Sequence, residues 1–516
     1  GSACGGVHEL PDAPSLAAST RKSTENEIPQ VPIPPTNEPK LVSTSLTTIV
    51  YDRPNNAGKK LGYLRVGGSV ARAQKPFSQE GCPEGWFPVR PAGFVCVGQD
   101  ASLDLSHPVA RALGKRPDLS KPLPYTYAFV RAVAPNYLRV PTKAEQHQYE
   151  FKLDVHLRSY HKLAKTWNAH GVGSNDVPLD KNGIAVGPPP AEPRDVTEGE
   201  LYGGDGDEKV PWYLDGERKI PHLSGYKAPS YAVIAGRVAR HTGLALIDSF
   251  LPGPEAENRR MAVTTDGRLV PASKLKPNVG STWHGVPVGG QFALPLAFVR
   301  DREGAQTYTI EGVVPRKTGN ALPFRSTLAL TGNVRVLFKT RFTELKDGTW
   351  VKSSDLATAA KPSSLPAFAK AGQKWIDLSI ASQTMIAYEG ERPVYVTMVS
   401  TGADGLGDPK TTKSTVRGTF KIREKHVTTT MDAHEVGNKF ELRDVPWVQY
   451  FEAGYALHAA YWHDDFGNPR SHGCVNVSPI DARWFFFWTT PGLPEGWHGA
   501  YASQRTGEGT IVHIHP

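Results

Sequence analysis

Glycine and proline interrupt this chain so often that short strands joined by turns and loops are its expected building blocks. The 516 residues include 50 glycines and 44 prolines. Glycine admits turn conformations, and proline lacks the amide that a helix or a sheet interior needs. The pattern therefore predicts a mainly β, multidomain protein. At roughly 150 residues per domain, its length corresponds to three or four domains.

The charge balance narrows the choice of partners. The formal net charge is +8, which by itself favours an anionic partner. The basic residues are scattered, however, and no Lys/Arg block or base-stacking motif is present, so nucleic acid is not expected. The sequence also has no uninterrupted apolar run of 18 residues or more, so none of its segments is expected to span a bilayer.

Residues 1–40 are predicted to be a flexible, proline-rich linker, because they contain almost no aromatic residue that could anchor a core. Near its start, Ala3-Cys4-Gly5-Gly6 resembles the end of a bacterial lipoprotein signal. In such signals the cysteine that follows a small residue is lipidated. The resemblance implies a membrane anchor through Cys4, and a tail cysteine without a function is the alternative.

Residues 41–100 are predicted to form a small β barrel with strands at 46–51, 61–66 and 94–97. The order of Val50-Tyr51-Asp52-Arg53-Pro54, Gly62, Gly85-Trp86-Phe87 and Gly93-Phe94-Val95 resembles a bacterial SH3-like domain. Such domains commonly bind wall peptides. The alternative is a structural spacer in which Trp86 is part of the core.

Cys82 and Cys96 lie 14 residues apart in a segment rich in glycine, proline and aromatic residues. This context predicts a disulfide in a small domain outside the cytoplasm, with two buried free thiols as the alternative.

Residues 101–230 are predicted to contain one helix and a long loop. Polar residues recur at helical spacing over about 143–168, which favours a helix. Phe151, Leu153, Val155 and Leu157 alternate with period two, so a strand within that span is the alternative. Residues 171–225 are dominated by glycine, proline and aspartate. They are predicted to form either a long ordered segment without regular secondary structure or a mobile loop.

Residues 231–360 return to β character. Residues 265–275 and 346–356 resemble each other, since each has a turn followed by a strand-like run. A second SH3-like barrel, split by insertions, would produce this repetition. Residues 361–366 read as the linker into a last domain at 372–516.

That last domain is predicted to be β-rich, with a short helix at 479–488 that begins after Ser478. Strands are expected at 374–380, 383–388, 394–400 and 455–458. The helix should pack Trp484, Phe485 and Trp488 on the sheet. We expect its N-terminal dipole to help hold a thiolate at Cys474.

The segment around Cys474 carries the residues for nucleophilic chemistry. With Cys82 and Cys96 paired, Cys474 is expected to be an unpaired, reactive thiol. His458 lies sixteen residues upstream. A thiol attacks carbonyls as its thiolate, and an imidazole within hydrogen-bond reach supplies the base that the thiol needs. Gly473 permits a tight turn whose amides point at an oxyanion.

His458, Ser471-His472-Gly473-Cys474 and Asn476 together resemble the signature of the L,D-transpeptidase family of cell-wall enzymes. Residues 415–422 resemble a second segment of that family, with Val416 in place of its usual proline. The resemblance implies a nucleophile at Cys474, a base at His458 and an active-site role for His472. It also implies oxyanion amides at Gly473 and Cys474, and hydrogen-bonding support from Ser471 and Asn476.

Other interpretations of these residues stay open. Tyr450, Tyr455 and Trp462 are candidates for lining a substrate groove, and core packing explains them equally well. A zinc site formed by His458, His463, His472 and Cys474 competes with catalysis, but no ligand pair has a metal-binding spacing. No metal or other cofactor is therefore expected. His463 and His434 have no partner that the sequence identifies.

The resemblance implies a peptidoglycan L,D-transpeptidase in the periplasm or cell envelope, one that carbapenems acylate. Cys474 would form a thioester with a tetrapeptide stem and transfer it to an amine of another stem or of a protein. Water as the acceptor would make the enzyme an L,D-carboxypeptidase. A non-catalytic, wall-binding scaffold is the alternative from another class. The acceptor, the oligomeric state and the role of residues 100–360 are not indicated by the sequence.

Overall fold

The structure is a computed structural model that describes residues 31–206, 208–217, 223, 228–435 and 438–516. The predicted lipidation site Cys4 and most of the predicted linker lie outside the described residues. Within the described part of the chain, no helix is both long enough and apolar enough to cross a membrane. The protein is mainly β, as predicted, and the strands of the described residues form four sheets.

The N-terminal segment is a small β unit whose core includes Trp86, 1% exposed. The indole nitrogen of Trp86 donates to the Glu80 carbonyl oxygen at 2.9 Å, so the core interpretation of this residue is confirmed. Cys82 and Cys96 form the predicted disulfide. The SH3-like assignment stays a prediction. Its elements are β1 Lys40–Ser43, β2 Thr48–Tyr51, β3 Lys60–Leu64, β4 Ser69–Ala71, β5 Gly85–Pro88, β6 Phe94–Val97, β7 Ala101–Ser102 and α1 Pro108–Leu113.

The next unit contains strands from both sides of the predicted boundary at residue 230. Strands β8 and β9 pair with strands beyond residue 233, so residues 126–278 share one β unit, called here the central domain. Its elements are β8 Thr126–Val130, β9 Ala134–Tyr137, α2 Lys143–Tyr149, α3 Leu153–Trp167, α4 Glu198–Leu201, β10 Ile234–Val238, β11 Gly243–Phe250, β12 Met261–Thr264, β13 Leu269–Pro271 and β14 Leu275–Asn278.

The predicted helix at 143–168 is present but is divided into α2 and α3. The chain between them turns at Lys152, whose φ is 51°. Glu150 is buried at this break and lies 2.9 Å from an Arg259 guanidinium nitrogen and 3.5 Å from Lys274 Nζ. A buried carboxylate needs such partners, so the chain bends to bring Glu150 to them. The alternative of a strand in this span is wrong.

A third unit follows, a seven-stranded sheet. The repeated passages at 265–275 and 346–356 fold alike: in each, a three-residue strand leads through a 3-10 turn into a further strand. The elements are β15 Val286–Pro287, which pairs with the last domain, then β16 Leu296–Val299, β17 Ala305–Glu311, β18 Val314–Leu322, β19 Thr327–Leu337, β20 Thr340–Leu345, β21 Trp350–Lys352 and β22 Leu356–Ala359.

The C-terminal domain has the predicted helix α6 packed on its sheet. Ser478 Oγ accepts the Asp481 amide at 3.2 Å and so caps α6. Trp484 and Phe485 are buried in the core and Trp488 packs against it, as predicted. The elements are α5 Ala367–Lys370, β23 Lys374–Ser379, β24 Thr384–Glu389, β25 Arg392–Met398, β26 Gly418–Lys421, β27 Glu424–Glu435, β28 Asn438–Glu452, β29 Tyr455–Ala459, β30 Val475–Val477, α6 Pro479–Trp488, β31 Gly499–Tyr501 and β32 Ile511–His515.

One continuous sheet of 16 strands joins the N-terminal unit, the C-terminal domain and the central domain. The long hairpin of β27 and β28 lies in the middle of this sheet. On one side, β31 pairs with both β27 and β3. On the other side, β28 meets β11 where Leu442 pairs with Gly243. The C-terminal domain is therefore held between two units that precede it in the chain.

Candidate active site

Two short parallel strands bring the predicted base and the predicted nucleophile together. His458 on β29 pairs in register with Asn476 on β30, and Leu457 pairs with Val475. Cys474 immediately precedes β30, two residues before Asn476. Because side chains two residues apart in extended chain share a face, the pairing places Cys474, Asn476 and His458 on one side. All three line the same cavity.

The turn before Cys474 is held by two hydroxyl groups. Ser471 Oγ accepts the Gly473 amide at 3.0 Å and donates to the Cys474 carbonyl oxygen. Thr415 Oγ1 donates to the Gly473 carbonyl oxygen at 2.7 Å and accepts the Gly402 amide at 2.9 Å. Gly473 has φ of 128°, which favours glycine at this position. These bonds fix the backbone on which Cys474 sits.

The same hydrogen bonds bear on the oxyanion role expected of the Gly473 amide. That amide already donates to Ser471 Oγ. It could therefore reach an oxyanion only if this hydrogen bond opened.

His458 is held in the form that can accept a proton. It is buried, its Nδ1 lies 3.3 Å from the Ala459 carbonyl oxygen, and its ring stacks on Trp462 with centroids 5.6 Å apart. A carbonyl oxygen only accepts, so Nδ1 carries the proton and Nε2 keeps its lone pair. Burial lowers the pKa of His458 to about 4. The ring is therefore neutral near pH 7, and the lone pair on Nε2 can accept a proton.

Cys474 is buried, 1% exposed, among the apolar side chains of β28. Its Sγ lies 3.6 Å from the Gly454 carbonyl oxygen. No cysteine in the described part of the chain is a free thiol, and Cys474 is disulfide-bonded. The expectation of an unpaired thiol at Cys474 is therefore wrong for this structure. Nucleophilic attack by Cys474 requires its reduced side chain.

His463, for which the sequence indicated no partner, contacts Asn476, one of the residues that line the cavity. The Asn476 side-chain amide lies 2.9 Å from His463 Nε2, and the Asp465 amide donates to Nδ1 at 3.2 Å. Burial, together with the nearby charge of Arg470, lowers the pKa of His463 to about 3. A neutral His463 therefore supports Asn476, whose register partner is His458.

The cavity has a volume of about 320 Å³, and its walls come from three different parts of the chain. One wall carries Cys474, His458 and Trp462 and the polar residues next to them: Arg470, Ser471, His472 and Asn476. The hairpin supplies Met431 and Leu442. The central domain supplies Phe129 and His241. Sequence reasoning missed the second and third walls, and no local motif points to them.

The structure separates the predicted groove-lining aromatics. Trp462 lines the cavity. Tyr450 and Tyr455 are buried, 5% and 9% exposed, and pack in hydrophobic cores. Among the described residues, no group of three or more histidine, cysteine or acidic side chains is arranged to hold a metal ion.

The effect of the α6 dipole on Cys474 stays a prediction. Strand β30 lies between Cys474 and α6, which begins at Pro479.

Residues 373–514, just over a quarter of the chain, match the YkuD family model, the L,D-transpeptidase catalytic domain. The C-terminal domain is an L,D-transpeptidase catalytic domain. The resemblance drawn from the residues around Cys474 is thereby confirmed.

Individual L,D-transpeptidases are also similar to part of this chain. A putative L,D-transpeptidase of Bacillus subtilis, YciB, is 26% identical over 124 residues, which are 22% of this chain and 59% of that protein. The solved L,D-transpeptidase of Xylanimonas cellulosilytica is 24% identical, with a TM-score of 0.21, and the match covers 30% of this chain and 64% of that one. The E. faecium L,D-transpeptidase catalytic domain is 20% identical, with a TM-score of 0.21, and the match covers 28% of this chain and 98% of that one.

Proposed function

We propose that this protein is a cysteine-dependent acyltransferase that acts on peptidoglycan stem peptides in the cell envelope. The observation that carries the proposal is that His458 on β29 and Cys474, which immediately precedes the paired strand β30, line one cavity. The L,D-transpeptidase match of the surrounding domain supports it.

The first step is acylation of the reduced Cys474. His458 Nε2 takes the thiol proton, and the sulfur attacks the carbonyl carbon of the third residue of a tetrapeptide stem. The peptide C–N bond then breaks and the proton passes from His458 to the leaving amine of the terminal D-alanine. A thioester between Cys474 and the tripeptide remains.

The second step returns Cys474 to its starting form. An acceptor amine attacks the thioester carbonyl, His458 takes a proton from that amine, and the C–S bond breaks. The proton then returns to the sulfur. An amine on another stem gives a cross-link, whereas water in its place gives a free tripeptide.

The experiment compares the pre-reduced chain with its Cys474→Ala variant on disaccharide-tetrapeptide muropeptides. Pre-reduction is required because Cys474 is disulfide-bonded in the structure. Intact mass should show a tripeptide adduct on Cys474, and product analysis should show cross-linked dimers that the variant does not form. Tripeptide monomers alone would indicate hydrolysis. An unmodified protein with neither product would favour the wall-binding scaffold.

A further inference from the structure

The cavity beside Cys474 is completed by a part of the chain that lies outside the L,D-transpeptidase match. Phe129 on β8 and His241 in the turn between β10 and β11 line it together with Cys474 and His458. The central domain therefore contributes side chains to the lining of the candidate active site.

The central domain packs closely against the C-terminal domain next to this cavity. Gly243 on β11 pairs with Leu442 on β28. A Cβ on Gly243 would lie only 2.3 Å from Tyr461 Oη, so the two domains approach as closely as a glycine allows. The ring of Tyr461 also packs on Tyr127 and Phe129, with centroids 4.5 and 5.8 Å apart. This contact holds the turn that carries His241 at a fixed place on the cavity wall.

His241 itself has an uncommon backbone conformation. Its φ is 72°, in the left-handed region that disfavours residues with a Cβ, and its amide donates to the Val130 carbonyl oxygen at 2.8 Å. Such conformations persist where the surrounding structure enforces them, and they cluster at ligand-binding sites. The side chain of His241 is exposed and faces the cavity.

The polar character of the cavity mouth suits an anion. His241 and Arg470 are two of the residues on its walls that carry hydrogen-bond donors. Arg470 is half exposed, and its guanidinium lies 3.4 Å from Asp465, so it keeps donors for another partner. None of the described residues that line the cavity is acidic. Planar guanidinium and imidazole donors are well matched to a carboxylate.

We propose that His241 and Arg470 form a carboxylate-binding subsite through which the central domain positions a stem peptide against Cys474. The inference rests on the proposed function. A stem peptide offers this group in two ways: as the terminal carboxylate of the donor that is cleaved, or as a carboxylate on the acceptor that supplies the amine. His241 is a positioning residue in either case.

The test measures the two half-reactions of the reduced full chain separately. Acylation is followed by intact mass with a tetrapeptide donor and with the same donor amidated at its C-terminus. Aminolysis of the preformed thioester is followed with an acceptor that carries its carboxylates and with the amidated acceptor. The variants are His241→Gly and His241→Asn. Glycine removes the side chain and relieves the backbone, so a folding defect is not expected, and asparagine keeps a donor and tolerates this φ. His161→Ala, an exposed histidine on α3, is the control.

We expect His241→Gly to slow one half-reaction about tenfold with the carboxylate substrate, as loss of a hydrogen bond to a charged group requires. The amidated substrate should show no such difference, and His241→Asn should restore part of the rate. A loss in acylation identifies the donor carboxylate, and a loss in aminolysis identifies the acceptor. The subsite is disproved, while the proposed function stands, in either of two cases. In the first, His241→Gly reacts at the wild-type rate in both steps. In the second, its rate falls equally with the carboxylate and the amidated substrates. Absence of any adduct on the wild-type chain would overturn both.

Discussion

Arg65 and Asp444 form a buried ion pair between residues 379 positions apart in the chain. The Arg65 guanidinium contacts both carboxylate oxygens of Asp444, one of them at 3.2 Å. Thr428 of the hairpin and Thr265 of the central domain also donate to this carboxylate. Burial alone would raise the pKa of Asp444, but Arg65 and these donors lower it to about 2. The N-terminal unit, the hairpin and the central domain therefore contact one another at the buried carboxylate of Asp444.

Asp444→Asn should destabilise the protein strongly. The substitution keeps the shape of the side chain but leaves Arg65 as a buried cation without its counter-charge, a change that costs about 3–5 kcal/mol. Equilibrium urea denaturation measures the loss. The matched control is Glu508→Gln, which removes an exposed ion pair with Lys421 and should leave the denaturation midpoint unchanged. An equal, small effect of both substitutions would contradict the central role of Asp444.

The pH dependence of acylation should report the buried state of His458. Its folded pKa is about 4, below the value near 6.5 of an exposed histidine. The ring therefore stays neutral and able to accept a proton as the pH falls from 6.5 towards 4. We expect the acid limb of the rate of Cys474 acylation by a carbapenem to lie well below pH 6.5. An acid limb at 6.5 would show that His458 titrates as an exposed histidine.

The same group contributes to the pH dependence of stability. Between pH 6.5 and 4 the unfolded chain binds a proton at His458 that the folded protein excludes, so this contribution is complete above 6.5 and is lost as the pH falls through 4. His458→Gln should reduce the loss of stability over this window. A thermal-denaturation series at several pH values checks the change.

Ser471→Ala should slow acylation because the hydroxyl bridges the Gly473 amide and the Cys474 carbonyl oxygen. Misplacement of a reacting group by about 1 Å can cost roughly 100-fold in rate, so we expect a loss of roughly 10- to 100-fold. Ser471→Thr keeps the hydroxyl and should retain most of the rate. Single-turnover intact-mass kinetics measure all three proteins. If the alanine and threonine variants are equally slow, the hydroxyl is not what matters.

Thr415→Val tests the same turn from its other side. It removes the hydroxyl that donates to the Gly473 carbonyl oxygen. We expect a loss of acylation similar to that of Ser471→Ala, with Thr415→Ser close to the wild-type rate. A normal rate in Thr415→Val would show that Ser471 alone holds the turn.

Removal of the Cys82–Cys96 disulfide should lower stability without changing acylation. The bridge closes a loop between residues 14 apart, and in the chain-entropy model this contributes about 3 kcal/mol. The double variant Cys82→Ala/Cys96→Ala should therefore unfold at lower urea. None of the described residues lining the cavity lies in this segment, so the rate of Cys474 acylation should not change. A changed rate would imply coupling between the N-terminal unit and the site.

Local patterns predicted the parts of the structure that depend on neighbouring residues in the chain. The helix after Ser478, the strand that carries His458 and the pairing of Cys82 with Cys96 all follow from caps, alternation and short spacing. The helix at 143–168 was predicted as one element, and its break at Glu150 follows from a distant partner, Arg259.

The sequence by itself determined the candidate reactive groups of this protein: a cysteine, a histidine sixteen residues before it, and a glycine turn next to the cysteine. Only the tertiary structure decided which residues surround the cysteine and the histidine. Phe129, His241 and Leu442 reach the cavity because β11 meets β28, and Asp444 is charged in the core because Arg65 arrives from another unit. Side-chain periodicity records which face of a strand is buried, but not which distant strand covers it, so these contacts leave no local signal.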